Sequence, residues 1–201
     1  MSEKYATFAT GLITEIITIL ASLLGLYAFY PYIRDILRGK THPHVFSWVV
    51  WGLLMIIAFF AQISEGAGPA AIVTGIFALL NLIVVVLALR YGERAITRSD
   101  WAMLTAALLA IPLWLATKDP VWSVVLICAI DVVAFIPTFR KSWGKPGEET
   151  LQTYILCGTS FALSLLVVEA VNLSTVLYPA TLMATNAVFV TMVCLRRRRF
   201  R

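Results

Sequence analysis

Two asparagines lie deep in otherwise apolar sequence. Asn81 opens the run NLIVVVLALR, and Asn186 stands inside ATNAVFVTMV. An amide carried into hydrocarbon must find hydrogen-bond partners. Each could clip one helix to another. Facing a common axis, two amides could instead grip hydroxyl or carboxamide groups of a polar solute. Asp131 is also embedded in apolar sequence. A carboxylate at the centre of a span costs roughly 2.5–3.5 kcal/mol on insertion scales. It suits a proton carrier or a substrate contact, and the plainer alternative is a neutral, hydrogen-bonded structural acid. Glu15 is a second proton-coupling candidate, or it reaches the nearer membrane interface. Trp48 and Trp51 are one helical turn apart and share a face. Trp51 is the deeper of the two and could stack on a ring-shaped substrate, against the alternative of packing or lipid contact.

Other chemistry is excluded by what the chain lacks. There is no G-x-x-x-x-G-K-[ST] phosphate loop, no H-E-x-x-H and no nucleophile elbow. Cys128, Cys157 and Cys194 form no C-x-x-C pair and read as small apolar residues. His42 and His44 flank Pro43 without an acidic cluster, which makes a weak metal case. We therefore expect no enzyme activity, no cofactor and no metal. A retinal Schiff base is excluded because no apolar run contains a lysine.

These residues need elements to hold them, and composition says which. The chain has 201 residues, of which 60% are hydrophobic and only 13% charged. A soluble domain carries about 25% charge. So little charge cannot coat a water-facing surface of this size, which leaves a polytopic membrane protein. Seven runs approach the ~20 apolar residues of a transmembrane helix: residues 8–30, 45–64, 69–89, 101–117, 120–139, 150–168 and 172–195. They lack the period-2 alternation of barrel strands. Glu3 beside Lys4, with Glu15 further on, argues against a cleaved leader. Trp101, Trp122 and Trp143 fall near run ends, as interfacial anchors do.

The net charge of +5 sorts by position. Arg34, Arg38, Lys40, Arg90, Arg94, Arg98, Arg140, Lys141, Lys145, Arg196–Arg199 and Arg201 all fall on one side of the expected membrane. Only Lys4 and Lys118 fall on the other. The positive-inside rule then puts the N-terminus outside and the C-terminus in the cytoplasm. These cations meet anionic lipid heads, and nothing in the sequence suggests a nucleic-acid module.

The chain also repeats itself. Ala28-Phe29-Tyr30-Pro31-Tyr32-Ile33-Arg34 matches Ala134-Phe135-Ile136-Pro137-Thr138-Phe139-Arg140 at an offset of 106 residues. Gly52 meets Gly158 at the same offset, and both suit close helix approach. Asn81 meets Asn186 one residue short of it. The expectation is an all-α fold with two parallel three-helix repeats. Residues 1–98 form the first, 99–118 a linker helix, and 119–201 the second with its basic tail. Parallel repeats with a site at their interface are a known transporter plan. The matched Pro31 and Pro137 would serve as hinges.

This pattern resembles the PQ-loop and SWEET group of seven-helix transporters. The resemblance covers nearly the whole chain. It rests on Pro31 and Pro137 before basic loops and on the paired Asn81 and Asn186. The family's proline-glutamine pair is Pro31-Tyr32 and Pro137-Thr138 here. The resemblance implies alternating-access transport of a small polar solute, sugar-like or amino-acid-like, at a site drawing on Asn81, Asn186, Trp51 and Asp131. Two other readings stay open: a vitamin or nucleoside facilitator stacking its ligand on Trp51, and a non-transporting sorting receptor or scaffold, as the KDEL receptor illustrates. The expected setting is a bacterial inner membrane, with a homo-oligomer left open.

Overall fold

The computed structural model describes residues 2–93, 96–117 and 120–199. Arg94, Lys118 and Arg201, and the side chain of Lys4, lie outside the described residues. Seven α-helices follow one another: α1 (Ser2–Leu37), α2 (Val45–Ser64), α3 (Pro69–Tyr91), α4 (Arg98–Thr117), α5 (Pro120–Gly144), α6 (Leu151–Leu165) and α7 (Leu173–Arg199). A 3₁₀ turn, Pro146–Glu148, precedes α6. No strand is formed among the described residues.

Local sequence sets the boundaries. Gly68 adopts φ 61°, which favours glycine, and Pro69 follows at the first helical position of α3. Thr97 opens α4: its N–H and hydroxyl donate to Asp100 Oδ2 at 2.6 and 2.8 Å. Asp100 thus supplies one half of a capping box. Asn172 opens α7 with both halves, Thr175 N–H donating to Asn172 Oδ1 and Asn172 N–H to Thr175 Oγ1, both at 3.1 Å.

Several expected boundaries move. α1 does not stop at residue 30 but continues through Pro31 to Leu37, and α5, whose expected run already held Pro137, continues beyond residue 139 to Gly144. A proline removes one N–H and frees one carbonyl, and the helix on either side closes over that gap. The extensions carry Arg34, Asp35, Arg140 and Lys141, so they are polar turns beyond the apolar stretch. α6 ends at Leu165, short of the expected 168, in a tightened turn where Leu166 N–H reaches Leu163 O and Val167 N–H reaches Ser164 O. Its 15 residues span about 22 Å, less than the ~30 Å hydrocarbon core.

The outer face is apolar, and polar side chains are set into an otherwise apolar core. Leu12, Ile16, Leu23, Leu79, Val86, Leu109, Val132 and Val188 are exposed. Ser47, Gln62, Asn81, Asp131, Thr153, Ser160 and Asn186 are buried. Water would reverse this distribution and lipid favours it. Among the described residues, four helical stretches have the length and hydropathy of a membrane crossing: Gly11–Leu37, Val45–Ser64, Pro69–Tyr91 and Leu173–Arg199. The chain is a helical membrane protein.

The neighbours of each helix are specific. α3 packs on both α1 and α2, whose backbones do not touch. α7 packs on both α5 and α6, which likewise stay apart. Between these groups α1 meets α6, α2 meets α5, α3 meets α6 and α2 meets α7. α4 lies outside, against α5 and α2. Side-chain hydroxyls of α6 tie into α1: Thr153 donates to Ala28 O at 2.9 Å and Ser160 to Ala21 O at 2.7 Å. Buried hydroxyls bonded to a neighbouring helix's carbonyls hold helices together without exposing a polar group to lipid.

Candidate functional site

A small cavity with buried walls lies where the two helix groups meet. Its volume open to the centre of a water-sized sphere is about 40 Å³, room for a few water molecules. The walls come from six helices and pair across the expected repeat: Phe29 with Phe135, Trp48 with Tyr154, Trp51 with Cys157, Met55 with Phe161, Phe77 with Leu182 and Asn81 with Asn186. Thr153 completes the lining. No charged side chain is among these residues.

The two amides are held alike. Asn81 Nδ2 donates to Phe77 O at 2.9 Å, and Asn186 Nδ2 donates to Leu182 O at 2.7 Å. Both bonds run four residues back along the same helix. Asn81 also reaches Met55 Sδ at 3.4 Å. Neither amide is fixed to another helix by a hydrogen bond to oxygen or nitrogen, so the reading as interhelical clips loses its geometric basis. Each is backed by the glycine expected to allow close approach. A Cβ placed on Gly52 would stand 3.7 Å from Asn81 Cβ, and one on Gly158 would stand 3.2 Å from Asn186 Cβ.

Trp51 supplies the third polar group. Its ring packs 4.5 Å from Phe135 and 5.3 Å from Trp48, centroid to centroid. Its indole N–H is buried without an acceptor. Such a group is costly unless something occupies the cavity to receive it. Trp48, in contrast, is satisfied: its N–H donates to Tyr32 OH at 3.1 Å.

Asp131 is not among the residues that line this cavity. It is fully buried, but one helical turn before Phe135 on α5. There the hydroxyl of Tyr178 on α7 faces it, with Cys128 and Thr181 close by. Neither carboxylate oxygen, nor the Tyr178 hydroxyl, makes a hydrogen bond of full geometry. Its neighbour is Tyr178 on the adjacent helix, and neither residue is among those lining the cavity. Glu15 is exposed on α1 and is not part of the lining. Pro31 and Pro137 are buried in mid-helix.

A buried polar network closes the end bearing the basic loops, and sequence reasoning missed it. Tyr154, a wall residue, donates to Glu149 Oε2 at 3.2 Å. Glu149 Oε1 receives Lys141 Nζ at 2.6 Å, with the two side chains 1% and 6% exposed. Lys141 also donates to His42 O at 2.6 Å, and Arg197 to Glu149 O at 2.6 Å. Tyr32 stands edge-on to Tyr154, 6.2 Å between centroids. One ion pair thus joins the ends of α5 and α7, the loop before α2 and the start of α6. Lys141 was read as a topological charge, and the only sequence signal for more was Glu149 eight residues on. At the other end, the Glu169 side chain lies against Gly68, where a Cβ would sit 2.6 Å from its carboxylate carbon.

Beside this lock, His44 Nε2 and Arg140 Nη2 each stand 3.4 Å from Asp100. Burial holds the His44 imidazole below its ordinary value; the Asp100 charge opposes this, and Arg140 and Lys141 add to it. Burial alone would raise the Asp100 carboxyl. The Thr97 hydrogen bonds, aided by His44 and Arg140, carry it below its ordinary value instead. Both groups are depressed in the fold, so their stabilisation is complete above the unfolded values and is lost as pH falls. For His44 the loss begins near the unfolded histidine value of ~6.5, and for Asp100 only near ~3.9. The melting temperature should therefore fall between pH 7.5 and 5.5, and His44→Gln should flatten that slope. An unchanged slope in His44→Gln would show that another group titrates.

Among the described residues no cluster of histidine, cysteine or acidic side chains could hold a metal ion. No family model, no curated protein and no solved structure matches the chain.

Proposed function

We propose that the chain is a transporter of the PQ-loop and SWEET kind, moving a small, neutral, polar solute through the cavity between two parallel three-helix units. The observation that carries this is the matched pair of amides, Asn81 and Asn186. Each is anchored to its own helix, and both line one small aromatic chamber. The architecture is supported by the neighbour pattern. Exchanging α1 with α5, α2 with α6 and α3 with α7 preserves which of those six helices are neighbours, though α1 packs on α6 more extensively than α5 on α2. Seven crossings, an outside N-terminus and a cytoplasmic C-terminus follow from the basic residues.

The lining narrows the solute. A charged group entering would meet no countercharge there and would lose its hydration uncompensated. This favours a sugar-like or other neutral ring compound over an amino-acid zwitterion. Aromatic walls offer an apolar face to a ring, the amides meet its hydroxyls, and the Trp51 N–H awaits an acceptor. At about 40 Å³ the chamber is smaller than such a solute, so loading requires the two units to part. Asp131 would serve a coupled proton rather than the solute, because it is buried one turn away. The vitamin-facilitator reading shares the Trp51 feature and differs only in the ring bound.

Counterflow in proteoliposomes tests this against a sorting receptor. Vesicles preloaded with a neutral sugar or nucleoside should transiently accumulate the labelled compound. A ligand that raises the melting temperature yet shows no counterflow would make the protein a receptor.

A further inference from the structure

Two grooves run along the outer face of α7 and join. The first, about 670 Å³, has Trp143, Val188, Met192 and Leu195 along its walls, with arginines at its mouth. The second, about 400 Å³, passes Gly158 and Met183. Ala187 and Thr191 line both. The second groove ends on Asn186 and Tyr154, which also form the wall of the central cavity.

Charge is arranged along this path. Arg197 turns inward to the carbonyls of Pro146 and Glu149. Arg196 is held beside the groove, its Nε donating to Trp143 O at 3.1 Å and its guanidinium 4.3 Å over the Trp143 ring. Arg198 and Arg199 are exposed at the mouth and bond no acceptor among the described residues. The groove therefore has a cationic head and an apolar body. From Arg198 to Met183 it follows α7 for about 22 Å at 1.5 Å per residue, more than the ~15 Å of one leaflet's hydrocarbon.

We propose that this groove is a binding site for an anionic diacyl phospholipid. Its phosphate lies on Arg198 and Arg199 beside Arg196, and one acyl chain follows Met192 and Ala187 to Gly158. A protein helix would leave the exposed arginines without anions, whereas a phosphate at the interface with a chain below it satisfies both ends. The site differs from general attraction of a basic surface to acidic membranes, because the chain needs the groove as much as the head needs the charge. It is independent of whether the chain transports.

The test compares melting of the purified protein in phosphatidylcholine nanodiscs with and without phosphatidylglycerol. Phosphatidylglycerol should raise the midpoint by several degrees. The Arg198→Gln/Arg199→Gln variant should lose most of that rise. Ala187→Trp, an exposed change that fills the groove and keeps every charge, should lose it too. Arg38→Gln/Lys40→Gln removes the same charge from exposed positions elsewhere at that end and should keep it. A rise that survives Ala187→Trp, or that disappears equally in Arg38→Gln/Lys40→Gln, would reduce the effect to surface electrostatics and overturn the site. So would an equal rise with inorganic phosphate in phosphatidylcholine discs, absence of any rise, or a second copy of the chain bound in the groove by native mass spectrometry.

Discussion

Asn81→Ala and Asn186→Ala should each lower solute counterflow by about tenfold or more, while melting temperature and helical content change little. A hydrogen bond to a bound solute that is lost with its partner left buried costs about 1–3 kcal/mol, and 1.4 kcal/mol is a factor of ten. The small stability effect follows from geometry. Each Nδ2 bonds a carbonyl of its own helix, so truncation breaks no oxygen- or nitrogen-mediated tie between helices. The two variants should also resemble one another, because the amides hold equivalent places against Gly52 and Gly158. If the residues were interhelical clips the pattern would invert, with large losses of stability and transport per folded molecule unaltered.

Breaking the lock should have the second large effect. Glu149→Gln leaves Lys141 buried, 6% exposed, with no countercharge. Removing one partner of a buried ion pair costs about 3–5 kcal/mol. That cost falls on the state in which this end is closed. The other state regains it by letting water reach Lys141. Each 1.4 kcal/mol shifts the balance about tenfold, so the variant should rest open at the end bearing the basic loops. Lys141→Met/Glu149→Leu removes both charges and should restore closure, since apolar replacement of a buried pair is often neutral. Cavity accessibility from that end is the readout. A Glu149→Gln protein as closed as the parent would show that the ion pair only welds loops together.

Much of this could be read from residue types and spacing. The Asn81–Asn186 match, one residue off the general offset, put both amides in one cavity. Trp48 and Trp51, one helical turn apart in the sequence, both reach the cavity wall. What failed depended on a neighbour that periodicity along one helix does not include. Asp131 stands one turn before Phe135, which lines the cavity, yet its own neighbour is Tyr178 on α7, which does not. α1 runs past Pro31 to Leu37 and α5 past residue 139 to Gly144 because hydropathy marks the end of apolar sequence, not the end of a helix. The lock assembles residues from the ends of five segments, and Lys141 read alone is simply one basic residue among many in the loops.

The central claim is that one cavity opens alternately to the two sides, and Cys157 in its wall reports this directly. In a protein with Cys128→Ala and Cys194→Ala, Cys157 is the remaining thiol. Membrane-impermeant thiol reagent would be applied to oriented vesicles from one side at a time. Alternating access predicts that Cys157 is labelled from both sides and that a transported solute protects it from both. Labelling from one side only, or from neither while Cys194 in the parent protein labels normally, would contradict it.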